Sequence, residues 1–504
     1  MLSKARLVKR RGLTRRTLLA GALCMPAVHA ARSDCRAPAM RIGVSHDFET
    51  FDPADARGDD KIIACNLLAP LVRYKKHVEG QPWEWERHIV ESISDSNPRQ
   101  YEFKLREEAW LDSSALSAED VAFSFKRIAS ELPGARNKRR WSALQSVDIA
   151  DSRTATIKLR SDCPDLLTTV LPGIAGCVVN EMHVSGLSGG RFKLDPGQTS
   201  GRYELCEVTP GVSAKLKGDP SWAGDKVEID SAEFIVIRDD NTARELWNSG
   251  KIEVYRPSPD VLQKAVAEKH PVVRASTSRV CMLVLNQQGT LANPELRRAI
   301  QLGVDRRGIG LAAYSDTDPV IATGLIPKGW PGWSTELLVP YDFAEAVHLA
   351  ARNQANTLRI AVMSNPFFTR VGQQVKADLE KIGINSEVVV LEPAVFWIAI
   401  STMQLDIVVA RGTPQTWGAL AVFEDFLSSS QLAWNRDQQF DNMLAEVSSK
   451  PSGEALLSLQ KFLVDAGIVV PLVDDRAAYL LSEKIRPAFD PEGEVGDLGS
   501  WGFL

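Results

Sequence analysis

The sequence predicts an α/β protein built from more than one lobe. Its 504 residues exceed what a single hydrophobic core ordinarily serves, so two or three lobes are expected. Segments 358–362, 371–382 and 387–391 alternate between strand and helix patterns, as α/β units do. A composition of 44% hydrophobic and 24% charged residues indicates an ordinary globular chain.

The first 30 residues have the composition of an export signal. Seven lysines and arginines, with no acid, precede or border the short apolar run LLAGALCMPAVHA, which is too short to span a bilayer. We expect cleavage near Ala30 and a periplasmic protein; an uncleaved anchor is the alternative. The stretch TRRTLLA resembles a twin-arginine signal, although Leu18 and Ala20 stand where Phe and Lys are usual.

Charge and cysteine content exclude several classes of protein. Loss of residues 1–30 removes seven positive charges and no negative one, so the net charge moves from −5 to −12. Such an acidic chain argues against nucleic acid as a partner. Six cysteines would remain, without a CxxC motif, so no metal or other cofactor is expected. Their spacing does not determine their pairing; Cys163 with Cys177 is the first candidate.

The stretch LSAEDVAFSFKRI contains two adjacent carboxylates that could be read as an acid–base pair. Ser117 and Asp120 instead have the spacing of a capping box, in which each side chain bonds the other residue's backbone N–H. Val121, Phe125 and Ile128 then follow at helical spacing. We therefore predict a helix start rather than a catalytic site.

This same region carries a family resemblance. The segment YEFKLREEAWLDSSALSAEDVAFSFKRI resembles the motif of the dipeptide, oligopeptide and nickel-binding proteins of ABC importers, the family 5 solute-binding proteins. Further segments are similar to that family, in the same order: FETFDPADA (48–56), TSGRYEL (199–205), FIVIRDDNTARELWNSGKIEV (234–254), LVLNQQGTLANPELRRAIQLGVDRRGI (283–309), YDFAEAVHLA (341–350) and VKADLEKIGINSEV (375–388).

The resemblance implies a periplasmic binding protein-like fold of class II, of the large peptide-binding type. It has two large lobes with a hinge plus a small inserted lobe. The implied boundaries are 40–85, 196–280 and 466–504 for lobe I, 86–195 for the small lobe, and 281–465 for lobe II.

The implied function is that of a periplasmic substrate-binding subunit of an ABC importer for peptides or a related small solute. It would bind solute between the lobes and deliver it to permease and ATPase subunits, as a monomer without catalysis. A receptor for a metal chelate or an opine is the alternative on this fold. A secreted serine hydrolase is the alternative of another class, since GLSGG (186–190) matches G-x-S-x-G; the following RFKLDPGQTSG lacks the required helical pattern.

Candidate ligand-binding residues follow from the matched family positions. For each of them a purely structural role is the competing interpretation. They are Phe48, Glu49 and Thr50 after the first strand, Ser200 and Gly201 in a turn near the hinge, and Asn286 and Gln287 at the crossover between lobes.

The chain departs from the family in the segment LDIVVARGTPQTWGALAVFEDFL. Gln415 stands where the family has an acid that meets the charged end of the ligand, and Arg411 and Trp417 lie nearby. Because Gln415 carries no charge while Arg411 offers a bidentate fork, we expect an anionic or capped solute. Alternatively, Arg411 pairs with a local acid such as Glu424 or Asp425.

Overall fold

The structure is a computed structural model that describes residues 37–504 apart from 78–82, 108–109, 111–113, 164–165, 221, 223–226, 354–355, 403–404, 413–419, 425 and 431–436. All described residues belong to one compact unit. The predicted signal, its cleavage near Ala30 and Cys35 lie outside the described residues. In the part that is described, no helix is long and apolar enough to cross a membrane.

The strands are numbered in chain order. They are β1 (Met40–Val44), β2 (Val72–Tyr74), β3 (Trp85–Arg87), β4 (Val90–Ile93), β5 (Gln100–Leu105), β6 (Leu144–Ile149), β7 (Thr154–Leu159), β8 (Tyr203–Thr209), β9 (Ser213–Gly218), β10 (Ser231–Val236), β11 (Val254–Tyr255), β12 (Val272–Leu285), β13 (Leu358–Met363), β14 (Ser386–Leu391), β15 (Ile407–Gly412), β16 (Val469–Leu481), β17 (Ile485–Arg486) and β18 (Gly502–Phe503).

The α-helices are numbered in the same way. They are α1 (Asp59–Leu67), α2 (Ala118–Lys126), α3 (Glu181–Ser185), α4 (Asp240–Asn248), α5 (Pro259–Ala267), α6 (Pro294–Gly303), α7 (Arg306–Tyr314), α8 (Phe343–Arg352), α9 (Pro366–Lys381), α10 (Pro393–Ser401), α11 (Ala421–Glu424), α12 (Gln438–Ser449) and α13 (Gly453–Asp465).

One ten-stranded sheet organises the described chain, in the order β14-β13-β15-β12-β16-β11-β1-β10-β9-β8. We call β1 and β8–β11 the first half of the sheet and β13–β15 the second half. The halves are joined by β12 and β16, which have 14 and 13 residues and pair antiparallel from Val272↔Leu480 to Val284↔Val469. The segment Gly467–Leu481 thus contributes one long strand, β16.

Each half of the sheet has its own core. Met40, Phe51 and Phe234 belong to a cluster on the first half, whereas Ile360 and Val375 belong to one on the second half. The predicted strand–helix–strand unit is present there as β13, α9 and β14, with parallel pairing of the two strands. The two halves thus have separate hydrophobic cores and share β12 and β16.

Helix α1 ends before its apolar helical spacing does. Helical spacing continues as far as Leu71, but the helix ends at Leu67 and Leu68 is extended. Pro70 explains this end, because a proline lacks the N–H that a helix needs and restricts the residue before it.

A separate four-stranded antiparallel sheet, in the order β4-β5-β7-β6, packs against α2. Val121, Phe125 and Ile128 are buried as predicted, and the Phe125 ring stacks on Trp141 with centroids 4.3 Å apart. The predicted capping box is confirmed: Asp120 N–H donates to Ser117 Oγ at 3.3 Å, and Ser117 N–H donates to Asp120 Oδ2 at 3.0 Å.

Replacing Ser117 with alanine is expected to lower the free energy of unfolding by about 1 kcal/mol. The Asp120 N–H loses its acceptor while the helix itself is unchanged. Urea unfolding followed by circular dichroism measures the loss. Glu119→Ala is the matched control, because Glu119 is exposed in the same turn and the cap remains. Equal losses in the two variants would contradict the capping role.

Candidate functional site

A cavity of about 760 Å³ opens at the carboxyl ends of β1, β10 and β11. These strands are parallel, with β1 between the other two, so the loops that follow them meet at one edge of the sheet. Residues Ser45–Asp47, Arg238 and Arg256 come from those loops. Ligands of open α/β sheets bind at this edge.

The second half of the sheet also reaches the cavity. Asn365, which caps α9 directly after β13, is among its lining residues. Beside it, Arg370 of α9 forms an ion pair with Asp260 at the start of α5. The cavity is therefore lined by loops of the first half of the sheet together with Asn365 from the segment that follows β13, as a solute cleft between two lobes would be.

Carboxylates outnumber guanidinium groups in the lining. The charged lining residues are Asp47, Glu49, Asp59, Asp60, Asp240 and Glu494, against Arg57, Arg238 and Arg256. Most of the acids already have protein partners. Asp60 accepts from the N–H groups of Glu49 and Thr50, both at 3.0 Å, and Glu494 Oε1 lies 3.0 Å from Arg256 Nη1.

The other acids that have protein partners hold loops around the cavity in place. Asp47 Oδ1 accepts from Gly211 N–H at 2.6 Å, and Asp240 Oδ2 accepts from Ser258 N–H at 2.9 Å. Glu49 Oε2 lies 3.1 Å from Arg136 Nη1. These side chains therefore have structural roles that do not need a ligand.

Asp59 differs from the other five acids. Its half-buried carboxylate, in the first turn of α1, has no hydrogen bond or ion pair with any described residue. Burial raises the pKa of Asp59 to about 7; the charge of Glu494 adds to the rise, while Arg256 and Lys61 oppose it. A positive group placed against Asp59 would stabilise its ionised form.

Of the three candidate residues after β1, Glu49 is the one found among the described residues that line the cavity. The buried ring of Phe48 packs on Phe51 with centroids 5.8 Å apart. Thr50 Oγ1 donates to the Phe192 carbonyl at 3.1 Å. Phe48 and Thr50 thus hold the loop that presents Glu49.

Ser200 and Gly201 pack against the end of α1. Ser200 Oγ accepts from Ala69 N–H at 3.1 Å, and Gly201 N–H donates to the Leu67 carbonyl at 2.9 Å. A Cβ on Gly201 would lie 2.3 Å from the Asn66 carbonyl oxygen, so only glycine fits this close approach.

Asn286 forms hydrogen bonds with backbone groups, as expected for a purely structural role. Its Nδ2 donates to the Leu405 carbonyl at 3.0 Å, and its Oδ1 accepts from Gln288 N–H at 3.0 Å. The first bond joins the end of β12 to the chain entering β15, and the second holds the turn after β12. Gln287 is half-buried in the turn that follows β12.

Arg411 is engaged inside the protein. Its Nη2 lies 3.1 Å from Asp475 Oδ1, and its guanidinium carbon lies 3.6 Å from the centre of the Phe367 ring. Asp475, on β16, also accepts from Arg279 Nε at 2.9 Å. Although burial acts in the opposite direction, the charges of Arg411, Arg279 and Arg256 lower the pKa of Asp475.

Among the described residues, the partner of Arg411 is Asp475 rather than Glu424, one of the two local acids considered from the sequence. Glu424 instead pairs with Arg139 at 2.6 Å. Asp425, Gln415 and Trp417 lie outside the described residues. Because the charge of Arg411 is already paired with the buried carboxylate of Asp475, Arg411 gives less support to an anionic solute.

The G-x-S-x-G segment does not have the geometry of a nucleophile elbow. Ser188 begins a short 3₁₀ turn that follows helix α3, whereas the elbow requires a strand before the serine and a helix after it. Gly189 and Gly190 have φ of 71° and 61°. A turn of this kind does not position a serine for attack.

The cavity residues that sequence reasoning missed are chiefly Asp59, Arg256, Asn365 and Glu494. Asp59 belongs to an acidic pair before a helix, which reads as ordinary helix initiation. Glu494 and Arg256 are 238 positions apart and meet only through the sheet. No local pattern marks such a pair.

The comparisons with known proteins agree with this geometry. Residues 84–434 match the family described as "Bacterial extracellular solute-binding proteins, family 5 Middle". A Brucella ovis protein named for ABC-transporter peptide binding is 22% identical, with 71% of each chain covered. The dipeptide-binding protein DppE of Bacillus subtilis is 18% identical, covering 84% of this chain and 83% of its own.

Solved structures share the fold at low sequence identity. The ABC transporter substrate-binding protein CtaP of Listeria monocytogenes has a TM-score of 0.78 and 18% identity, covering 92% of this chain and 99% of its own. AgaA of A. tumefaciens R10, solved with agropinic acid, has a TM-score of 0.71 and 18% identity, covering 92% and 98%. The predicted class II binding-protein fold is confirmed, and the chain belongs to the family 5 bacterial extracellular solute-binding proteins.

Proposed function

We propose that this chain is the periplasmic substrate-binding subunit of an ABC importer for peptides or a related small solute. The observation that carries the proposal is the cavity of about 760 Å³ to which both halves of the sheet contribute. Names of relatives that refer to peptide binding support the solute class. An opine-type solute is the second candidate, favoured by the similarity to AgaA.

The solute would bind with a positively charged group against Asp59. Of the lining carboxylates, only Asp59 lacks a hydrogen bond or ion pair with the described residues. A free amino group would satisfy this half-buried charge, as an acetylated amino group could not. This proposal replaces the anionic solute inferred from Arg411; contacts from Gln415 and Trp417 remain predictions.

Binding would be coupled to closure of the two halves. In the lobe division proposed from the sequence, 40–85, 196–280 and 466–504 form lobe I, 86–195 the small lobe, and 281–465 lobe II. Strands β12 and β16 would then act as the hinge, and contacts made to solute by both lobes would favour the closed form. The closed protein would dock on permease subunits driven by ATPases.

The remaining features complete the proposal. The protein would act as an exported monomer, after cleavage of a twin-arginine signal near Ala30, and would neither bind nucleic acid nor catalyse a reaction. The acidic composition and the basic residues at the N-terminus support export and argue against nucleic acid.

Native purification followed by mass analysis tests this function. The protein is denatured, the released small molecules are identified, and calorimetry is repeated with di- and tripeptides carrying free or acetylated amino termini. We expect a released or titrated solute with a free amine. Peptide turnover that Ser188→Ala abolishes would favour the hydrolase instead, and selective binding of acetylated peptides would refute the role of Asp59.

A further inference from the structure

Two cysteine side chains meet outside the cavity. Cys65 lies on α1, and Cys177 directly follows the 3₁₀ turn Ile174–Gly176; their Sγ atoms are 3.8 Å apart. Cys177 therefore contacts Cys65, and not Cys163, which is its nearest cysteine in sequence.

Backbone contacts hold the two segments together. Pro70 and Cys177 form an antiparallel bridge, and Val178 N–H donates to the Ala69 carbonyl at 3.1 Å. A Cβ on Gly176 would lie 2.1 Å from the Leu171 carbonyl oxygen, which shows how tightly this turn is packed. The two thiols are therefore brought together by fixed backbone rather than by flexible termini.

The thiols differ in access. Cys177 is fully buried, whereas Cys65 is half-buried and lines a second cavity of about 80 Å³. Contact with Cys65 and burial both raise the pKa of the Cys177 thiol. An oxidant would therefore react first at Cys65, and Cys177 would act as the resolving thiol.

We propose that Cys65 and Cys177 form a disulfide bond in the exported protein, an inference that rests on the export included in the proposed function. Bond formation would bring their Sγ atoms from 3.8 Å to about 2.05 Å. The bond would enclose residues 65–177, which include the entire four-stranded sheet β4–β7. It would link the segment that follows this sheet to α1, the helix that carries Asp59.

The reaction is a thiol–disulfide exchange. The Cys65 thiolate attacks one sulfur of a protein or small-molecule disulfide, forming a mixed disulfide and releasing one thiolate. The Cys177 thiolate then attacks the Cys65 sulfur and releases the second thiolate. The two cysteines lose two electrons and two protons, and the oxidant is reduced to two thiols.

Peptide mapping of the full chain tests the proposal. Protein from the extracytoplasmic fraction is alkylated under denaturing, non-reducing conditions, digested, and searched for the linked Cys65–Cys177 peptide. A second sample, purified with reductant, is exposed to oxidised glutathione and mapped in the same way. Cys65→Ser breaks the pair at its half-buried member, and Cys206→Ser, also half-buried, is the matched control.

We expect the linked peptide in both samples and in Cys206→Ser, and its loss in Cys65→Ser. Reduction should lower the unfolding midpoint of the wild type by several degrees but leave that of Cys65→Ser unchanged. Absence of the linked peptide in both samples would refute the proposal that these two thiols can form a bond. A link formed only with glutathione, or pairing with another cysteine, would refute the bond in the exported protein. Solute binding, measured on the same samples, reports separately on the proposed function.

Discussion

Arg127→Met is expected to lower the free energy of unfolding by about 3–5 kcal/mol, the cost of leaving a buried charge without its partner. Arg127 and Asp52 are 2% and 0% exposed. Arg127 Nη1 donates to Asp52 Oδ1 at 2.9 Å, and Nη2 also contacts this carboxylate. Arg127 Nε donates to the Gly190 carbonyl at 2.9 Å as well.

The pair joins parts of the chain that lie far apart in sequence. Asp52 belongs to the loop that follows β1, whereas Arg127 follows α2 of the inserted sheet. Asp52 also accepts from Ala54 N–H at 3.0 Å, so its turn is organised by the same carboxylate. Removal of the arginine should therefore loosen the loop that presents Glu49 as well as destabilise the fold.

Urea unfolding of Arg127→Met and Arg139→Met measures the effect against a matched control. Arg139 pairs with Glu424 at 2.6 Å, but both side chains are about half exposed. Such a surface pair contributes roughly 0–1 kcal/mol. Similar losses of unfolding free energy in the two variants would contradict the prediction, because the buried pair would then contribute no more than the exposed one.

Asp59→Asn is expected to weaken binding of a free-amine dipeptide about tenfold at pH about 7.5, since a charge-assisted hydrogen bond becomes a neutral one. The pKa of Asp59 is raised to about 7, so the wild-type carboxylate is mostly protonated at pH about 6 and mostly ionised at pH about 7.5. Wild-type affinity should rise over this interval, and the affinity of the variant should stay nearly constant.

Calorimetry at both pH values provides the measurement. Asp465→Asn is the control, because Asp465 is exposed on α13 and pairs there with Lys461. It should keep the wild-type affinity and pH dependence. If Asp59→Asn bound the dipeptide as tightly as the wild type at both pH values, the ammonium group would have to bind elsewhere in the cleft.

The same carboxylate affects the stability of the unliganded protein. A raised pKa means that the folded state holds the proton more tightly than the unfolded state. Protonated Asp59 therefore stabilises the folded state. This stabilisation is complete below the ordinary pKa of 3.8 and is lost as the pH rises to about 7. Asp59→Asn should remove this part of the pH dependence without unfolding the protein, which separates a binding defect from a folding defect.

The sequence by itself determined the features whose physical causes are local. The start of α2 depends on Ser117 and Asp120, three residues apart, and on an apolar stripe within the next three turns. Strand and helix patterns such as those of β13, α9 and β14 likewise depend on neighbouring residues. The collinear family motifs summarise such patterns over most of the chain, so fold class and family could be predicted.

Only the tertiary structure decided which distant side chains meet. Arg411 on β15 meets Asp475 on β16, 64 positions later, because only β12 separates these two strands in the sheet. In the same manner, the charge of Glu494 raises the pKa of Asp59, and Cys65 contacts Cys177. These contacts depend on strand order and on the packing of the inserted sheet. Their energies come from groups more than 60 positions apart, which no sequence window contains.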